Sequence, residues 1–144
     1  MTDLFAVIRL KGQVNINKEI KDTMIMLNLK RINNCNLFKK TKVIDGMLKK
    51  SRSFITWGEV SKETLEKLLS KRAREQGEKK LDENKSKEAA NKLLNGSKLR
   101  DLGIKVPIRL HPAYKGLVSI KQPFPRGDMG YRGEKINELL EKMI

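Results

Sequence analysis

His111 is the only histidine and Cys35 the only cysteine of this 144-residue chain. Two of the side chains that most often do chemistry therefore occur once each. A metal centre needs several His, Cys or carboxylate ligands brought together, and His111 has neither a cysteine pair nor a second histidine to build one with. It precedes Pro112 in a stretch that reads as loop rather than cleft wall, where a structural or phosphate-contacting role suits it better than that of a general base. Most carboxylates are interleaved with lysines on helices, as on solvated faces. No Walker-type or dinucleotide-binding glycine pattern is present. "PRGDMGYRG" sets Gly127, Gly130 and Gly133 at three-residue intervals, but an RNA-clamping GxxG loop sits between helices, and Pro123 and Pro125 argue against the upstream one. The Arg126-Gly127-Asp128 triplet matches an adhesion motif, with nothing else in the chain to suggest secretion. No cofactor, metal ion or small-molecule substrate is expected.

The cations are more informative. The chain carries 32 Lys and Arg against 17 Asp and Glu, a formal net charge of +15, with 38% apolar and 5% aromatic residues. Self-repulsion on that scale opposes compaction unless a polyanion neutralises it. Between Lys11 and Val60 eleven basic side chains stand against four acidic ones, and most of the basic ones fall where elements end. Arg9 and Lys11 close the first apparent strand, Lys30 and Arg31 lie between helix and strand, Lys39, Lys40 and Lys42 follow the second strand, and Lys49, Lys50 and Arg52 precede the third. Charges gathered at loops suit phosphates spaced along a folded RNA. The asparagines of "RINNCN" add donors and acceptors that could reach riboses and bases, although turn and strand-edge chemistry explains each one singly. Trp57, the only tryptophan, reads as a core or edge filler before a base-stacking platform. No run of about 18 apolar residues exists to span a bilayer, and "MTDLFAVIRLKG" lacks the features of a signal peptide. With a single cysteine, expected buried as a free thiol, this fits a reducing cytosol.

These residues need elements to hold them. "LFAVIRL" (4–10) reads as a strand, a helix capped by Asn15 or Asn17 runs to about Leu29, and "RINNCNLFK" (31–39) reads as a modest strand. "KVIDGMLKK" (42–50) allows one or two helical turns, "SFITWGEV" (53–60) a third strand, and Ser61 opens a further helix. The expected architecture is α/β in the broad sense (α+β): a small three-stranded sheet with helices packed on one face, the other face being left to solvent or a ligand. From about Arg72 the composition turns polar and basic, so residues 71–100 read as one solvated helix or a pair. Short extended pieces are expected at "KVPIRL" and "GLVSI", and "EKINELLEKMI" reads as a terminal helix with Ile136, Leu139, Leu140 and Met143 on one face. Residues 121–135, with two prolines and three glycines, hold too few apolar side chains to offset the entropy of ordering. They are expected to take shape only against phosphate.

At residues 12–60 the chain resembles the universal large-subunit ribosomal protein thirty family, and the resemblance covers essentially the whole chain. "FAVIRLKG" leads to a helix and then to "LNLKRINN" (27–34), in which Leu29-Lys30-Arg31-Ile32-Asn33 stand as the hallmark, followed by "DGMLKK" (45–50) and the strand "FITWGEV". Bacterial members end near that strand. The further residues, including "HPAYKG" and "QPFPRGDMGYRG", are similar to the longer archaeal form, related to the eukaryotic large-subunit protein seven. "INNCN" carries more asparagine than the usual threonine or valine. The resemblance implies a non-catalytic cytoplasmic component of the ribosome, bound to large-subunit ribosomal RNA in the region of the 5S RNA and beside neighbouring large-subunit proteins. It also implies a ferredoxin-like βαβαβ RNA-binding core over 1–71 and a basic helical and extended C-terminal extension over 72–144. The RNA contacts expected are Lys30, Arg31 and Asn33, with Lys49 and Lys50 beside them, the loop residues Arg9, Lys11, Arg52 and His111, and Lys115, Arg126, Tyr131 and Arg132 in the extension. Two alternatives remain at this point: an RNA-processing or RNA-modifying enzyme using His111 with Asp101 or Asp128, and a DNA-packaging protein. The first lacks a paired acid and base, and the second lacks a helix with the regular basic face of a major-groove reader.

Overall fold

The computed structural model describes residues 4–12, 17–75, 79–80, 82–96, 98–104, 106, 108–114, 116–117, 119, 121–124 and 126–144. The run LFAVIR forms the central strand β1 (Leu4–Arg9), paired antiparallel with β2 (Asn34–Lys39) on one side and β3 (Ile55–Glu59) on the other. Two short strands widen the sheet: β4 (Ile108–Arg109) runs antiparallel to β2, and β5 (Gly130–Tyr131) runs parallel to β3. The order is β4-β2-β1-β3-β5. The helices are α1 (Lys18–Met26), α2 (Lys42–Lys50), α3 (Lys62–Lys71), α4 (Glu83–Leu94) and α5 (Ile136–Met143). The class is α+β, as the sequence implies, but the sheet has five strands among the described residues rather than three. The two extra strands are too short to show any alternation of apolar and polar residues.

The helices also cover both faces, not one. Successive strand residues point to opposite sides of a sheet. Leu4, Ala6, Ile8 and Leu10 join α3, α4 and α5 in one core, through Leu68, Leu93 and Leu140 among others. Phe5 and Val7 join Met24 of α1 and Leu48 of α2 in a second core, with Leu27, Ile55 and Trp57. A strand buried on both faces has no polar side to show, which is why β1 reads as an unbroken apolar run. Burial of each such Leu, Ile or Phe side chain stabilises the fold by roughly 1.5–3 kcal/mol, which opposes the mutual repulsion of the cations.

Local signals set the helix starts. The side chains of Asn17, Thr41 and Ser61 accept from the backbone N–H groups of Glu19, Ile44 and Thr64, at 3.0, 3.1 and 3.3 Å. Each such cap is worth about 1 kcal/mol. Within 71–100 there is one α-helix after α3 among the described residues. That helix, α4, buries Ser86, Ala89, Ala90 and Leu93, so it is part of the larger core rather than a free solvated rod. The terminal helix buries the four residues its spacing picks out, Ile136, Leu139, Leu140 and Met143. The "GLVSI" piece falls partly outside the described residues.

Cys35 lies in β2 with its side chain in the larger core, and burial pushes its thiol up to about 12. The thiolate is the reactive species. Ellman's reagent should therefore leave the native protein unmodified at neutral pH and titrate Cys35 fully in denaturant; rapid reaction of the native protein would contradict this placement.

Candidate nucleic-acid interface

The chain leaves α1 through a left-handed turn. Asn28 has φ +59°, its N–H donates to Ile25 O at 3.0 Å, and the N–H of Leu29 reaches back to Met24 O at 2.9 Å. This is the Schellman arrangement, with asparagine in the position glycine usually takes and an apolar contact between the residues at its two ends. Met24 and Leu29 supply that contact in the smaller core. The carbonyls left over at the helix end are satisfied from the sheet: Asn36 Nδ2 donates to Leu27 O at 2.9 Å, and Arg9 Nη1 donates to Leu29 O at 2.8 Å. Asn33 then makes a second left-handed turn, φ +65°. Its N–H donates to Arg9 O at 2.7 Å, and its carbonyl accepts from Leu110 at 3.0 Å. The tip between these turns, Lys30-Arg31-Ile32, is exposed. Three asparagines thus serve the backbone, which accounts for their abundance here. What they build is a rigid support for two cations.

Arg9 departs from the expectation of a surface contact. Its residue is 1% exposed, and Nε donates to Lys11 O at 2.9 Å while Nη2 has no acceptor among the described residues. Burial pulls its guanidinium below the ordinary arginine value. In this structure its guanidinium is spent on the backbone of the turn, at Lys11 O and Leu29 O. The exposed cations lie around it. Lys11, whose ammonium lies 5.3 Å from the Phe54 ring centroid, and exposed Arg52 are at the sheet end where β1 finishes and β2 and β3 begin, the same end as the Lys30-Arg31 tip. Lys49 and Lys50 close α2, whose other end opens with Lys42. They make exposed ion pairs with Asp45 and Glu19, at 3.1 and 3.7 Å. The helices of the other face, α3, α4 and α5, likewise interleave both signs and join some of them in pairs such as Lys67–Glu141 and Lys87–Glu83.

Residues 121–135 have an internal scaffold, contrary to the expectation that phosphate alone would shape them. Asp128 N–H donates to Ser119 O at 2.8 Å, and its carboxylate accepts from the Ser119 N–H at 3.0 Å. Arg132, 8% exposed, donates from Nε to Thr56 Oγ1 at 2.8 Å and from Nη2 to Asp128, with its guanidinium 5.3 Å from the Phe124 ring. Thr56 in turn donates to Gly130 O at 2.8 Å. A polar group can be buried when every partner is supplied; here charge does the tying that apolar surface could not. Gly58 completes the joint, because a Cβ there would collide with the carbonyl of Gly133. Arg132, like Arg9, is internal. Arg126 is exposed, and Lys115 lies outside the described residues.

Tyr131 sits half-exposed on β5. Its hydroxyl donates to the Glu59 carboxylate, 2.6 and 2.7 Å from the two oxygens, and Lys40 Nζ lies 2.7 Å from Oε1 of the same group. Burial acts to raise the Glu59 carboxyl, but the hydrogen bonds from Lys40 and Tyr131 outweigh it and hold it low. The hydrogen bond to Glu59, with burial and nearby negative charge, pushes the Tyr131 phenol up to about 12. The lowered carboxyl stabilises the fold above the usual carboxylate range and loses that contribution as pH falls through its folded value. The raised phenol stabilises it below about 10 and loses that contribution as pH rises through about 12. In an ultraviolet alkaline titration one phenol should ionise near 12, and Glu59→Gln should bring it back toward the ordinary value. An unchanged titration in the variant would show that Glu59 does not hold the ring. Sequence reasoning picked out Tyr131 but not the group around it, since Phe5, Lys40, Trp57 and Glu59 are scattered along the chain.

His111 is exposed and strapped to the end of α5, its N–H donating to Met143 O at 2.9 Å. It shares a groove of about 700 Å³ with Tyr114, Glu138, Glu141 and Lys142. Asp128 is committed to Arg132, so it forms no catalytic pair with His111.

Exposed cations set on a rigid turn and at element ends, in a chain of net charge +15: this is the build of a protein made to meet a polyanion. Residues 5–55 match the family model described as ribosomal protein L30p/L7e. Over nearly the whole chain the sequence is similar to proteins named large ribosomal subunit protein uL30. The one from Methanosphaera stadtmanae is 41% identical, covering 98% of this chain and 100% of the relative. Those from Nanoarchaeum equitans and Archaeoglobus fulgidus are 40% and 38% identical, covering 98% and 97% of this chain and 99% of each relative. The chain belongs to the L30p/L7e family of ribosomal proteins, in its archaeal form. The family is structural rather than enzymatic.

Proposed function

We propose that the protein is a structural component of the large ribosomal subunit that binds large-subunit ribosomal RNA through the face carrying α1 and α2. The observation that carries this reading is the end-to-end likeness to large-subunit proteins, and the exposed Lys30-Arg31 tip on its fixed turn supports it. Lys11, Lys30, Arg31, Lys49, Lys50 and Arg52 neutralise phosphates where RNA helices meet, with Asn33 fixing the tip. His111, Lys115, Arg126 and Tyr131 extend the contact from the second half of the chain. Arg9 and Arg132 act behind the surface. In this reading residues 1–71 form the RNA-binding core and 72–144 the archaeal-type extension, which meets neighbouring proteins. The resemblance to the long form supports a position near the 5S ribosomal RNA. No helix among the described residues is long and apolar enough to cross a membrane, and the work is done in the cytoplasm, in the ribosome.

Many modest phosphate contacts make affinity fall linearly in log–log form with salt. Binding to a large-subunit RNA transcript, measured by filter retention from about 50 to 200 mM salt, should weaken by several orders of magnitude. Binding insensitive to salt, or equally tight on duplex DNA, would overturn the proposal.

A further inference from the structure

Beside Tyr131 lies a second groove, of about 650 Å³, lined by Phe5, Lys40, Thr41, Lys42, Asp45, Lys49, Trp57 and Tyr131. It is on the α1/α2 side of the sheet, because Phe5 and Trp57 belong to the smaller core. We infer that this groove receives one unstacked base of the RNA, held against Tyr131, with the adjoining phosphates taken by Lys42 and Lys49.

Three features of the groove point to a nucleotide. The first is its aromatic wall. The Tyr131 ring stands edge-on to Phe5, with centroids 6.3 Å apart and planes at 75°, and 6.1 Å from Trp57 at 50°. Phe5 and Trp57 are buried, whereas Tyr131 is 50% exposed, so this wall offers open π-surface through Tyr131. The second is that the ring is fixed before any ligand arrives. The hydroxyl is bound to both oxygens of Glu59, and Lys40 holds the same carboxylate while lying 5.1 Å from the Phe5 ring centroid. A ring already immobilised loses little entropy when a base stacks on it. The third is the distribution of charge. Lys42, Asp45 and Lys49 are spaced i, i+3 and i+7, so they share one face of α2; Asp45 is paired with Lys49, and Glu59 is paired with Lys40. The rim is thereby left with a net positive charge beside an aromatic wall. Unpaired bases in RNA loops are recognised by this combination of stacking surface and cation. A neighbouring protein's apolar side chain would use the ring but has no use for the lysines.

This inference rests on the ribosomal-RNA reading above, and the test separates the two. The full-length protein, bound to a large-subunit RNA transcript, is irradiated at short wavelength, digested and analysed by mass spectrometry. A single nucleotide should be cross-linked to the peptide containing Tyr131. Tyr131→Leu should abolish the cross-link and weaken binding about 10-fold, with the slope of log affinity against log salt unchanged. Tyr131→Phe loses the same hydrogen bond to Glu59 but keeps the ring, so it should keep the cross-link and bind more tightly than Tyr131→Leu; the difference between the two variants isolates stacking from folding. Lys42→Ala should instead lower the salt slope by about 1. If wild type binds the transcript with a steep salt dependence while Tyr131→Leu binds equally well and no cross-link forms, the groove is not a base site, though RNA binding stands. Protection of the Tyr131 peptide in the assembled subunit without a nucleotide cross-link would assign the groove to a protein and likewise overturn the inference. Loss of all transcript binding by wild type would sink both readings.

Discussion

Replacing Arg132 with alanine is expected to lower the unfolding free energy by about 3–5 kcal/mol, because it leaves a partner charge buried and uncompensated. Asp128 is itself buried, 7% exposed, and among the described residues its carboxylate would keep the bond from the Ser119 N–H. Thr56 Oγ1 would lose its donor, and β5 the clamp that fixes it beside β3. Against the 5–15 kcal/mol typical of a domain, this is a large fraction. At roughly 2–4 °C per kcal/mol for a chain of this size, the thermal midpoint should fall by about 6–20 °C. Arg132→Lys should recover little, since an ammonium cannot span Thr56 and Asp128 as the guanidinium fork does. Calorimetry decides the matter: a midpoint within a degree or two of wild type would mean that the buried pair does not hold this segment.

The second large effect concerns binding. Reversing both tip charges, Lys30→Glu with Arg31→Glu, should reduce affinity for large-subunit RNA on the order of 100-fold and lower the salt slope by about 2. Both side chains are exposed, and the turn beneath them is fixed by Asn28, Asn33 and Arg9, so the melting temperature should stay near wild type. Equal reversals on the α3/α4 face, at Lys67 and Lys87, should change affinity far less. If all four reversals cost the same, the cationic face has no special part in recognition.

The sequence made the first three strands and the helices around them legible because each is long enough to show a period or a cap. Asn17 and Ser61 mark helix starts in plain view, whereas the Thr41 cap of α2 was passed over. The number of covered faces was misread, although the clue was present: "LFAVI" is continuous, not alternating, and a continuous run in a strand signals burial on both sides. β4 falls within the extended piece expected at "KVPIRL", but its pairing with β2 was not legible, and β5 left no such trace, for two residues carry no period. The site was legible in its charges and obscure in its supports. Lys30 and Arg31 announce themselves by position. That Arg9 and Arg132 point inward could not be seen, since an arginine's fate depends on acceptors brought from 20 or 76 residues away. Residues 121–135 were misjudged for the same reason. Their shape comes from hydrogen bonds to β3 and between Ser119 and Asp128, which hydropathy does not register.

The parallel seam between β3 and β5 imposes an order of events on biosynthesis. Thr56 and Trp57 find their edge partners at Gly130 and Tyr131, and Ile136, Leu139, Leu140 and Met143 close the larger core. Until about residue 143 has left the exit tunnel, the emerging polypeptide carries a raw sheet edge and an unroofed apolar surface, both prone to sticking. The larger core therefore cannot close, nor the β3 edge be covered, before β5 and α5 have emerged.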